Sequence, residues 1–108
     1  MNFDEYQMLA QMTSNTVGTL QKVENGILGL NGESGECIDI LKKAKFQGHA
    51  MDYEKIKDEL SDVLWYCAEV ATGLGLTLEE VAEYNINKLR KRYPEGHFNT
   101  HRSVNRDE

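Results

Sequence analysis

Between Asp52 and Gly75, the apolar residues Ile56, Leu60, Val63, Leu64, Cys67, Val70, Ala71 and Leu74 recur at intervals of three and four. That is the repeat of an amphipathic helix about five turns long, with Asp52 placed to cap its start and Gly73 and Gly75 to end it. No segment of the chain sustains the period-two alternation of a half-buried strand, so the expected fold is all-α. With 108 residues there is room for one core.

Three further helices follow from the same reading. A first is expected after Asn2 or Asp4, carrying Tyr6, Leu9 and Ala10, with Gly18 deciding whether it continues through Leu20 and Val23. A second runs from about Asn25 to Phe46, with Ile27, Leu30, Cys37, Ile38, Leu41 and Ala44 on one face and Gly48 as its stop. A fourth starts at the capping box Thr77-Leu78-Glu79-Glu80 and ends near Tyr93, ahead of Pro94. The expected architecture is a four-helix bundle over residues 1–98, followed by a polar C-terminal tail, 99–108. Trp65 lies far round the third helix from its apolar face, at 100° per residue. A cover for it is therefore expected, and the short core is expected to be completed by homo-oligomerisation, as a homodimer or homotetramer.

Composition narrows the function. Twelve Lys and Arg against eighteen Asp and Glu give a net charge of −6, which disfavours a nucleic-acid-coating role. There is no apolar run of membrane-spanning length and no basic-then-apolar leader, so neither membrane nor secretion is expected and the cytoplasm is the expected location. Cys37 and Cys67 fall within apolar periodic stretches, far from any C-x-x-C pattern, and read as core residues.

The chemistry is concentrated in two pairs of carboxylates. Glu33 and Glu36 are three apart on the second helix, and Glu59 and Asp62 three apart on the third, each pair on a shoulder of its helix's apolar face. Packed through those faces, the helices would bring four carboxylates together. Their repulsion is relieved by cations between them, and an all-oxygen ligand set suits Mg²⁺, with Mn²⁺ as the alternative. A ferritin-like di-iron site would need E-x-x-H, but His49, His97 and His101 all fall in expected loop or tail. No EF-hand or P-loop sequence is present. Either pair alone is more often simply the solvated side of a helix.

Gly29, Gly32 and Gly35 interrupt the second helix at about 1 kcal/mol each relative to Ala. Room beside Glu33 and Glu36 for a metal and a bulky ligand is one reason for them, and close helix packing is the other. On the fourth helix the face that begins with Leu78, Val81 and Ala82 turns to Asn85, Lys88 and Arg92. These groups suit phosphate oxygens, and the two cations equally suit the negative end of the helix dipole.

The ordered set Gly32-Glu33-Ser34-Gly35-Glu36, Glu59-Leu60-Ser61-Asp62 and Asn85-Ile86-Asn87-Lys88-Leu89-Arg90-Lys91-Arg92-Tyr93-Pro94-Glu95-Gly96 resembles the MazG-like members of the all-α NTP pyrophosphohydrolase superfamily, over about residues 25–98. The resemblance implies Mg²⁺-dependent hydrolysis of a nucleoside triphosphate to the monophosphate and pyrophosphate. Glu33, Glu36, Glu59 and Asp62 would hold metal, Asn85, Lys88 and Arg92 would contact the nucleotide, and Glu36 or Glu33 would act as general base. Two features depart from the family pattern: Gly32 stands where many relatives carry another acidic residue, and His97 intervenes between Gly96 and Phe98. Phosphoribosyl-ATP and dUTP are the alternative substrates within the superfamily. A non-catalytic nucleotide-binding or helical interaction module is the alternative outside enzymes.

Overall fold

The computed structural model describes residues 1–106; residues 107 and 108, the end of the expected tail, lie outside the described residues. The elements are all helical: α1 (Phe3–Gln11), α2 (Thr19–Phe46), α3 (Tyr53–Gly73), α4 (Leu78–Arg92) and α5 (Thr100–Val104). Two compact units result, Met1–Leu78 and the remainder from Glu79, and each is described in its own right.

In the first unit, the Asn2 side chain caps α1 by accepting the Glu5 backbone N–H at 2.9 Å, and Asp4 and Glu5 sit at the positive end of the helix dipole. The helix ends at Gln11 and does not continue past Gly18. Residues 12–18 turn the chain, and Gly18 adopts a φ of +83°, which a side chain would strain. Accordingly α2 begins at Thr19, earlier than its apolar pattern suggests, and is 28 residues long. Its first turns are helical because they pack on α3: a methyl group at Gly73 would lie 2.9 Å from Val23 Cγ2 and 3.1 Å from the Thr19 carbonyl oxygen.

The third helix has the expected bounds. Asp52 accepts the Lys55 N–H at 3.1 Å, and past Gly73 the chain turns at Gly75, φ +73°. Here α2 and α3 form an antiparallel hairpin with an unusually close seam. A side chain at Gly26 would overlap Val70, and one at Gly29 would overlap the Tyr66 ring. Gly29 is thus explained by helix packing, whereas Gly32 and Gly35 open onto space with nothing within 4 Å.

The seam is rotated from the face that apolar periodicity alone selects. The buried core is small, made of Ala10, Ala68, Ala71 and Leu78, with Tyr6, Trp65 and Cys67 packed partly against it. Leu60, Ile38 and Leu41, expected inside, are 60%, 67% and 53% exposed. Trp65 has the cover it needs: its indole N–H donates to Thr13 Oγ1 at 2.9 Å and its ring meets Tyr66 edge to face at 5.1 Å. Both cysteines are free and half-buried, and burial pushes the Cys67 thiol pKa up, away from nucleophilic use.

Gln7 fastens α1 to the far end of α3. Its Nε2 donates to Thr72 Oγ1 at 2.9 Å and to the Leu76 carbonyl at 3.0 Å, while its Oε1 accepts the Leu78 N–H at 2.8 Å.

In the second unit, α4 has Glu79 and Glu80 in its first turn and Arg90, Lys91 and Arg92 in its last, both favourable to the dipole. The segment expected as a tail contains further structure. Gly96 turns the chain at φ +87°, Phe98 folds back onto Tyr93 with ring centroids 5.5 Å apart, and Asn99 caps α5 through the Arg102 N–H at 3.0 Å. Arg102 also reaches Glu95 at 3.2 Å. Among the described residues, no helix is long and apolar enough to cross a membrane.

Candidate metal centre

Where α2 and α3 run past one another beyond the Gly29–Tyr66 contact, Glu33, Glu59 and Asp62 converge. Each offers a carboxylate oxygen, and the three oxygens lie within 4.8 Å of one another. The spacing follows from the helices: Glu59 and Asp62 are neighbours on one side of α3, and the close glycine seam brings Glu33 across to meet them.

The electrostatics are those of uncompensated negative charge. Glu59 has its pKa raised, first by a hydrogen bond shared with Glu33, then by partial desolvation and by the charges of Glu33 and Asp58. Asp62 is raised too, chiefly by desolvation and then by Asp58 and Glu59. Every contribution to either group acts in the same direction, against the charged form, and a cation between them would relieve that repulsion. Three hard oxygen donors at this separation fit a divalent cation of the Mg²⁺ or Mn²⁺ kind, and no softer ligand accompanies them.

Glu36 stands outside this trio. Three residues after Glu33 it has rotated about 60° round α2, and it lines a polar cleft of about 380 Å³ together with Glu59, Asp39, Lys43, His49 and Lys55. Three charges in that cleft are engaged locally: Asp39 pairs with Lys43 at 2.8 Å, and Asp52 caps α3. Asn85, Lys88 and Arg92 belong to the second unit, where their spacing puts them on one face of α4, with Asn85 and Lys88 exposed.

A model of the MazG nucleotide pyrophosphohydrolase domain matches residues 21–97, a span that contains both carboxylate pairs and the α4 trio. The chain belongs to the MazG family. Over 105 residues it is also 31% identical to the Gene 37 protein of Mycobacterium phage L5, covering 89% of this chain and 92% of that protein. No solved structure matches the chain. The matched MazG span begins two residues into α2, so α1 and the turn after it stand outside the span but pack on it.

Those outer elements contain what sequence reasoning missed. Glu69 is fully buried, and Gln11, Ser14 and Thr16 converge on its carboxylate together with Lys22 and Asn25 of α2. Desolvation raises its pKa, but the hydrogen bonds from Gln11, Asn25, Ser14 and Thr16 outweigh that and hold the group below its ordinary value. The available signal was a lone carboxylate inside the run Ala68-Glu69-Val70-Ala71, on the same line of α3 as Asp62 and Tyr66.

Proposed function

We propose that the protein is a Mg²⁺-dependent nucleoside triphosphate pyrophosphohydrolase, converting an NTP or dNTP and water to the monophosphate and pyrophosphate. The convergence of Glu33, Glu59 and Asp62 within a MazG domain carries the reading, since three repelling carboxylates at a helix seam are a poor stability device and a good cation cage.

Glu33, Glu59 and Asp62 would hold the metal. When bound, a divalent cation supplies positive charge to the phosphate oxygens and acidifies a coordinated water. Glu36 would act as the general base, with Glu33 as the second choice, a reading supported by its position outside the trio yet on the same cleft as Glu59. It takes a proton from water as the water oxygen bonds to phosphorus and the anhydride bond between the α- and β-phosphates breaks, the pyrophosphate leaving with that bond's electron pair. Asn85, Lys88 and Arg92 would contact the nucleotide and its phosphates, as donors that accept developing negative charge. The open space at Gly32 and Gly35 leaves the substrate access beside Glu33 and Glu36.

We place the enzyme in the cytoplasm as a homodimer or homotetramer. Exposed Leu28, Ile38, Leu41, Phe46 and Leu60 on α2 and α3 support self-association, because this much large apolar surface is rarely left to water.

The test is product analysis after incubating the purified protein with canonical and modified NTPs, dUTP and phosphoribosyl-ATP, with and without Mg²⁺. Monophosphate plus pyrophosphate formed only with metal is the expected result, and the ranking of rates identifies the substrate. No product from any of them overturns the assignment in favour of a nucleotide-binding or helical interaction module.

A further inference from the structure

Resting on that reading of the metal centre, we propose that Glu69 is a positioning residue: it locks α2 against α3 in the one register that brings Glu33 to Glu59 and Asp62.

The lock is built from both helices and from the chain preceding them. Glu69 Oε1 accepts from Gln11 Nε2 at 3.0 Å and from Ser14 Oγ at 2.9 Å. Its Oε2 accepts from Asn25 Nδ2 at 2.8 Å, Ser14 Oγ at 3.0 Å and Thr16 Oγ1 at 3.1 Å. Lys22 Nζ lies 3.6 Å from Oε1 and also donates to Ser14 and Thr16, at 3.3 and 3.2 Å. Among the described residues, no buried side-chain nitrogen or oxygen lacks a partner.

Stability alone does not call for this arrangement. A fully buried carboxylate carries a desolvation cost of several kcal/mol, and well-packed apolar side chains in its place are often as stable or more so. What a directional network adds is register, and this seam needs it. Gly26, Gly29 and Gly73 let the helices approach closely and seat Val70, Tyr66 and Val23, but these apolar contacts are non-directional, and the Glu69 network adds specific donor–acceptor pairing to them. A slip of one helical turn moves α2 by about 5.4 Å. The three metal-facing oxygens lie within 4.8 Å of one another, so one such slip dismantles the centre. Asn25 precedes Glu33 by eight residues and Glu69 follows Asp62 by seven, which puts lock and centre about 11 Å apart along the same seam.

The experiment uses the full chain with Asn25→Ala, which removes the α2 hydrogen bond to Glu69 and leaves the Gln11, Ser14, Thr16 and Lys22 contacts. It is paired with the exchange Glu69→Gln/Asn25→Asp, which moves the carboxylate to the opposite helix. Three quantities are read: the melting temperature, the Mg²⁺ dissociation constant, and, in metal-free protein, the nuclear Overhauser contacts between the Gly29 Hα and the Tyr66 ring. Asn25→Ala is expected to weaken Mg²⁺ binding about 10- to 100-fold, the range for groups that orient metal ligands. It is also expected to reduce the Gly29–Tyr66 contacts, and the exchange is expected to restore both. A lowered melting temperature with unchanged Mg²⁺ affinity and unchanged contacts would overturn the proposal and leave Glu69 a stabilising group only. If the unsubstituted protein binds no Mg²⁺, the metal-centre reading fails, and the metal-free contacts still decide whether Glu69 sets the register.

Discussion

Glu33 on α2 and Glu59 on α3, helices running in opposite directions, meet across the seam with carboxylate oxygens within 4.8 Å of one another. That closeness raises the pKa of Glu59, and a cation between the two groups would relieve the repulsion and compete with protons for them.

Stability should therefore follow pH in two opposed steps. Glu59 and Asp62 have raised pKa values, so the folded state binds more protons than the unfolded one, and metal-free stability rises as pH falls from neutral into the upper carboxylate range. Glu69 is depressed, so its contribution is fully present above the ordinary Glu range and is lost as pH falls through its lower folded value. Thermal melts between pH 7 and pH 3 should show a maximum in the acid range without metal. With saturating Mg²⁺ the upper step should reverse, since protons then compete with the ion.

Glu59→Gln should separate stability from activity. Removing one of the repelling carboxylates should raise the metal-free melting temperature at neutral pH. The same variant should lose about 100-fold or more in turnover, the effect of several kcal/mol of lost metal-borne stabilisation. A melt and a pyrophosphate-release assay on one preparation check both.

Glu36→Gln should lower kcat by about 10²- to 10⁴-fold, the usual contribution of a general base, with Mg²⁺ affinity little changed because Glu36 lies outside the trio. Loss of metal binding in this variant would instead place Glu36 among the ligands.

The glycines of α2 should divide by position. Gly29→Ala drives a methyl into the Tyr66 ring and should destabilise by about 1–3 kcal/mol, whereas Gly32→Ala meets nothing and should gain up to about 1 kcal/mol from helix propensity. Denaturant unfolding of the two variants measures the difference.

Much of this arrangement was legible in the sequence. The bounds of α3 and its Asp52 cap act within a few residues, and the structure reproduces them, while of the two carboxylate pairs it brings together Glu33, Glu59 and Asp62. Features that depend on distant packing were not legible. The start of α2 was masked by Gly18, whose φ of +83° marks a turn, and the first turns from Thr19 are held by distant packing of Val23 on Gly73 of α3. Leu60 and Ile38 follow the apolar repeat, yet the seam forms through the glycines and Tyr66 and leaves both exposed. Spacing alone made Glu33 and Glu36 equivalent, and only the rotation of the seam separates the residue that joins Glu59 and Asp62 from the one that faces the cleft. The Glu69 network draws on residues 11, 14, 16, 22 and 25, and no local pattern joins them.

The most direct test is a ³¹P NMR time course of a nucleoside triphosphate with Mg²⁺, run for the unsubstituted protein and for Asp62→Asn. The account predicts monophosphate and pyrophosphate resonances growing together in the first sample and, in the second, no conversion above the enzyme-free rate. Equal rates in the two samples, or orthophosphate and a nucleoside diphosphate as the first products, would contradict it.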